Sequence, residues 1–144
     1  MPEQETLRRA RKDKAEGKAP STQAGEFVKE EIEHIREGKH GARSTKQAIA
    51  IGLSKARRAG VELPPPKSGS AETRNQASRD LKKSKSSAHK SATRSRATLR
   101  ALKREGHSAA SKLALSRQAH AAAKKRSAAS RSRSAKKAAA TRKK

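Results

Sequence analysis

Glu31 and His34 stand one helical turn apart, the spacing with which a Glu-x-x-His pair holds a metal ion. A second such pair is missing from the sequence, so the expectation is a solvated helix face with no metal bound. The remaining histidines, His40, His89, His107 and His120, are scattered through mostly polar or basic surroundings. Ser84-Lys85 and Ser111-Lys112 place a hydroxyl beside an amine, but no core surrounds them to hold a nucleophile and its base. No segment resembles the phosphate-cradling G-x-x-x-x-G-K-[ST] loop. With no cysteine there is no thiol nucleophile, disulfide framework or Cys-ligated zinc. The expectation is therefore not an enzyme, with no catalytic residues and no cofactor.

The chemistry the residues do support is ionic. Residues 81–144 carry 21 Lys/Arg and one acid, Glu105, a net charge of +20; the 80 residues before them carry 17 Lys/Arg and 12 Asp/Glu, a net +5. A cationic density of this kind is relieved by a polyanion, and duplex DNA offers about one charge per 1.7 Å of axis together with counterions to release. The cations fall in clusters suited to backbone phosphates: Lys82-Lys83, Arg94 and Arg96, Lys103-Arg104, Lys124-Lys125-Arg126, Arg131 and Arg133, Lys136-Lys137 and Arg142-Lys143-Lys144. Phe27 is the only Phe, Tyr or Trp, so the basic stretch has no ring on which to stack an unpaired base. This favours duplex DNA over sequence-specific RNA, with non-specific RNA binding as the alternative.

The elements that must carry these groups follow from apolar patterning. Only 16 residues are Val, Ile, Leu, Met or Phe, and nine of them fall within 24–63. Val28, Ile32 and Ile35, with Phe27 alongside, form one stripe of a helix over 24–37 that Gly38 ends. Ser44-Thr45-Lys46-Gln47 fits a capping box and opens a second helix to about Ala59, with Ala48, Ile49, Gly52, Leu53 and Ala56 on one face. Ala48, Gly52 and Ala56 are small and four apart, which admits a closely packed partner. Gly60 caps this helix, and Val61 folds back on it. The hairpin core or dimer face is therefore Phe27, Val28, Ile32, Ile35, Ile49, Leu53 and Val61. Forty residues bury two stripes poorly, so a homodimer or a protein partner is expected to complete them. If the hairpin touches DNA, Arg43, Lys46, Lys55, Arg57 and Arg58 are the contacts, in the manner of a helix-turn-helix.

Four segments result: a charged flexible arm over 1–23, the helical hairpin 24–63, a Pro/Gly/Ser linker 64–70 and a basic low-complexity tail 71–144. The fold class is mostly α and disordered, a short hairpin followed by a long Ala/Ser/Lys/Arg-rich tail that is helical only conditionally, over Ala92–Glu105 and Ser108–Arg126. Ser108–Lys125 aligns with Ser127–Lys144 at an offset of 19, a candidate repeat. No run is apolar enough to span a membrane, and no secretory signal opens the chain.

Over Arg43–Gly60 the chain resembles a family of small basic bacterial proteins with an S-x-K-Q-A-I-A-I-[AG]-L-S-x-A motif, here Ser44-Thr45-Lys46-Gln47-Ala48-Ile49-Ala50-Ile51-Gly52-Leu53-Ser54-Lys55-Ala56. Members are mostly of unknown function, and some are labelled plasmid-stabilisation-like or DNA-binding. The resemblance, which covers residues 25–63, implies a bacterial source and a nucleoid or plasmid association. The tail is similar in composition to linker-histone-like tails, but it lacks their prolines. The combined expectation is a cytoplasmic, nucleoid-associated or plasmid-maintenance protein that binds duplex DNA without sequence preference. The alternatives are an RNA- or ribosome-associated factor and an adaptor that works through the hairpin.

Overall fold

Among the described residues eight of the twelve buried hydrophobic ones are alanines, and this explains how so few large apolar side chains organise so long a chain. A computed structural model describes residues 1–86 and 88–143. Among them are seven α-helices: α1 (Gln4–Ala15), α2 (Pro20–Arg36), α3 (Thr45–Arg58), α4 (Ala71–Lys83), α5 (Ala92–Lys103), α6 (Lys112–Lys124) and α7 (Ala128–Arg142), with a 3-10 turn at Ser108–Ala110 before α6.

The hairpin of α2 and α3 is the centre. Phe27, Ile32, Ile35 and Val61 are buried, while Val28, Ile49 and Leu53 are half-buried. The two helices approach so closely that a Cβ on Gly52 would lie 2.7 Å from the Cα of Val28. Ala48 and Ala56, one turn to either side, are fully buried. Helix α2 begins at Pro20, four residues before the expected start, because a proline at the first helical position loses no hydrogen bond and has its φ already set. Ser44 caps α3 by accepting from the Gln47 amide at 3.2 Å. Gln47 Oε1 reaches back to the Arg43 amide at 2.7 Å, one residue beyond its usual capping-box partner. Gly60 closes α3 at φ 97°, a conformation open to glycine at little cost.

Two expectations are overturned here. The flexible arm is helix α1, which packs on α2 through buried Thr6 and Ala10 and through Arg9 Nε bound to Glu26 Oε2 at 2.6 Å. Ala10 joins Ala24, Phe27, Ala56 and Val61 in one core cluster, edged by Leu7, Leu53 and Leu63. The tail, in turn, is neither disordered nor merely conditional in its helicity. Its helices are each started by a serine: Ser70, Ser91, Ser111 and Ser127 accept from the amides of Thr73, Arg94, Ala114 and Ser130. Ala, Lys and Arg then propagate them.

The tail also docks. Ala109 and Ala110 enter a second core cluster with Ile32, Ile35, Ala42 and Ala48, and Leu115 packs against it. Thr45 Oγ1 donates to the Ala109 carbonyl at 2.7 Å, and Arg36 Nε donates to that of Ala110 at 2.8 Å. The Gly41 and Ala42 amides donate to the carbonyls of Leu102 and Gly106. Contact there is so close that a Cβ on Gly41 would lie 2.0 Å from the Glu105 carbonyl oxygen. Helix α4 is held on α3 by buried Asp80, which accepts from Ser54 Oγ at 2.6 Å and from Arg58 Nε at 2.8 Å. The apolar stripes for which a homodimer or a protein partner was expected pack against α1, the 3-10 turn and α6 of the same chain. The 19-residue alignment does not carry over into structure: Ser108 opens the 3-10 turn and Ser111 caps α6, whereas Ser127, the counterpart of Ser108, caps α7 directly.

Candidate nucleic-acid interface and a buried carboxylate and histidine cluster

Fifteen of the sixteen tail cations expected at phosphates are described, and every one is exposed: Lys82 and Lys83 at the end of α4, Arg94, Arg96, Lys103 and Arg104 on and just beyond α5, Lys124, Lys125 and Arg126 at the end of α6, and Arg131, Arg133, Lys136, Lys137, Arg142 and Lys143 on and just beyond α7. Lys144 lies outside the described residues. Among the described residues no Lys or Arg beyond Arg79 is ion-paired, so this charge is left for solvent or a partner. At about 100° per residue, the α7 cations fall on all sides of a helix roughly 22 Å long. Helix α7 is exposed along its length apart from half-buried Ser130, on which Arg126 closes.

The hairpin cations divide. Arg43 and Lys46 are exposed, with Arg43 Nε 3.8 Å from Glu105 Oε1. Lys55 is drawn to Glu31, Arg57 is buried and donates to the carbonyls of Leu63 and Pro64, and Arg58 binds Asp80. Thr45, in the first turn of α3, is engaged by the Ala109 carbonyl of the tail, whereas Arg43 and Lys46 beside it stay exposed. Burial pushes the Asp80 carboxyl up, but hydrogen bonds from Ser54, Arg58 and Gln76 outweigh it and hold the group below its ordinary 3.8.

Acidic side chains of α2 expected on a solvated face turn inward instead. Glu30 and Glu31 are 2% and 1% exposed. Glu30 Oε2 accepts from the Glu3 amide at 3.2 Å, and Lys55 Nζ lies 2.6 Å from Glu31 Oε2. The other oxygen of each carboxylate, Oε1, is buried without a hydrogen-bond partner. His40, brought back by the turn at Gly38, places Nε2 3.1 Å from Glu31 Oε1. His34 packs edge-on to it, with ring centroids 6.2 Å apart. Its Nε2 is 2.9 Å from Glu3 Oε1, a contact that holds the Glu3 carboxyl below its ordinary value with help from Lys39. Sequence spacing pointed to Glu31 and His34 but missed His40 and Glu3, which reach the cluster only through the turn after α2 and the packing of α1.

Among the described residues no helix is long and apolar enough to cross a membrane. No curated protein and no solved structure matches the chain. Residues 11–67 match the model of a family described as "Family of unknown function (DUF6496)". That stretch contains α2, α3 and the last five residues of α1, including Glu31, His34 and His40, and stops short of the basic helices.

Proposed function

We propose that this protein binds duplex DNA through backbone phosphates, without reading sequence, using the cationic surfaces of α4–α7 carried on the α1–α3 platform. The observation that carries this reading is the set of exposed, unpaired cations from Lys82 to Lys143. A protein selected only for solubility needs no net +20 in 64 residues. The single Phe is 1% exposed, so no ring of the Phe, Tyr or Trp type is available for base stacking, which favours a duplex over single strands. Ordered helices also present the cations with less entropy left to lose than a flexible tail would have. An association with the bacterial nucleoid or with plasmid maintenance is the cellular role that fits this activity and the resemblance of Arg43–Gly60.

The test is affinity for duplex DNA of mixed sequence, with structured RNA as competitor. The reading predicts binding that is indifferent to sequence and favours the duplex. Binding to one sequence alone, or preference for the RNA, would count against it.

A further inference from the structure

We propose that Glu31, His34 and His40 form a binding site for a divalent transition-metal ion of the zinc type. A ring nitrogen of each histidine and a carboxylate oxygen of Glu31 lie within 4.8 Å of one another. Donors about 2.0–2.1 Å from a tetrahedral zinc ion sit roughly 3.3 Å apart, so small side-chain rotations close the set.

The polar bookkeeping around His40 is what calls for a cation. His40 Nδ1 is 3.0 Å from the Gly41 carbonyl oxygen, which can only accept, so Nδ1 carries a hydrogen. In the neutral ring, Nε2 then presents a lone pair to Glu31 Oε1 at 3.1 Å. Two acceptors at that distance repel unless a cation lies between them or just off their line. Glu31 Oε1 has no hydrogen-bond partner, so a proton on Nε2 does not point at it. An ion off that line satisfies both atoms. The backbone carbonyl behind His40 is the outer partner that metal-binding histidines typically have, fixing the tautomer and the ring plane.

Charge is compatible with a cation: Glu3, Glu30, Glu31 and Glu37 outnumber Lys39, Lys55 and the amino terminus, whose ammonium interacts with Glu30 and Glu31, by one, so the pocket is net acidic before an ion enters it. Glu3, half-exposed at the mouth, has Oε1 close enough to His34 Nε2 to orient that ring or join the ion. The mixed imidazole and carboxylate donors suit zinc over calcium or magnesium. An ion here also fixes His40 and, through it, the Gly41-Ala42 segment that holds the end of α5.

The test is calorimetric titration of the metal-stripped full chain with Zn2+, with Co2+ absorption as a second reading. The expected result is one ion per chain, affinity at least about tenfold weaker in Glu31→Gln and His40→Gln, and unchanged affinity in His120→Gln, which alters an exposed histidine of α6. Zn2+ is expected to raise the melting midpoint of the parent but not of Glu31→Gln. Should His40→Gln fail to fold by circular dichroism, His34→Gln, nearer the surface, takes its place with the same expected loss. No uptake of Zn2+ by the parent, or equal uptake by the parent and these site variants, overturns the proposal.

Discussion

Gly52 illustrates how much a single missing side chain decides. Alanine there would gain helix propensity of up to about 1 kcal/mol. Its Cβ, however, would sit 2.7 Å from the Val28 Cα, and backbone cannot swing aside as a flexible side chain can. Gly52→Ala is expected to lower stability by about 1–3 kcal/mol in urea unfolding, as overpacking does; an unchanged midpoint would mean that the helices separate freely. Asp80 decides as much by its charge. Its carboxyl is lowered in the fold, so the folded chain binds fewer protons than the unfolded one as pH falls past 3.8. The stability it contributes is complete above that value and lost as pH drops through it toward the lowered one. Asp80→Asn should therefore destabilise at neutral pH, with the gap to the parent closing below pH 3.8, as read from unfolding midpoints across that range. The sequence contained hints of these positions. The small residues at 48, 52 and 56 advertised close packing, and Asp80 and Glu105 are the only acids between Thr73 and the end of the chain. Both lie at points where the tail docks, and an isolated acid in a basic stretch was the available signal.

At the scale of elements, the serine caps and the docking of the 3-10 turn explain why the tail is ordered. Thr45→Val keeps the shape of the side chain but leaves the Ala109 carbonyl without its donor, at an expected cost of about 1–3 kcal/mol. The same variant should expose Lys103-Arg104 to trypsin sooner than the parent, if docking of the turn is what protects that segment; identical cleavage would show that it does not. The hairpin was legible because large apolar residues at helical spacing mark it directly: Phe27, Val28, Ile32 and Ile35 read as one stripe. Helices α1 and α4 were not, because they bury alanine and polar groups. Ala10, Ala77, Thr6 and Asp80 do not register as core material when only large side chains are counted. The order of the tail was missed for the same reason, since Ala109 and Ala110 supply its anchor.

The molecule joins a small-residue core to an outward cationic field. The charge imbalance was fully readable beforehand, whereas the docking of the tail on the hairpin was not, since that depends on contacts between residues near 40 and near 105 that no local pattern encodes. Each phosphate contact takes about 0.9 from the slope of log K against log salt. Replacing Arg131, Arg133, Lys136, Lys137, Arg142 and Lys143 by glutamine should therefore make that slope shallower by up to about 5, with the fold intact because α7 is exposed. The most direct measurement is the salt series for the full-length protein on mixed-sequence duplex. If about 10 of the tail cations meet phosphates, the slope is near −9. A slope near −2 would mean that the cationic surface is not the binding face, and would contradict the account.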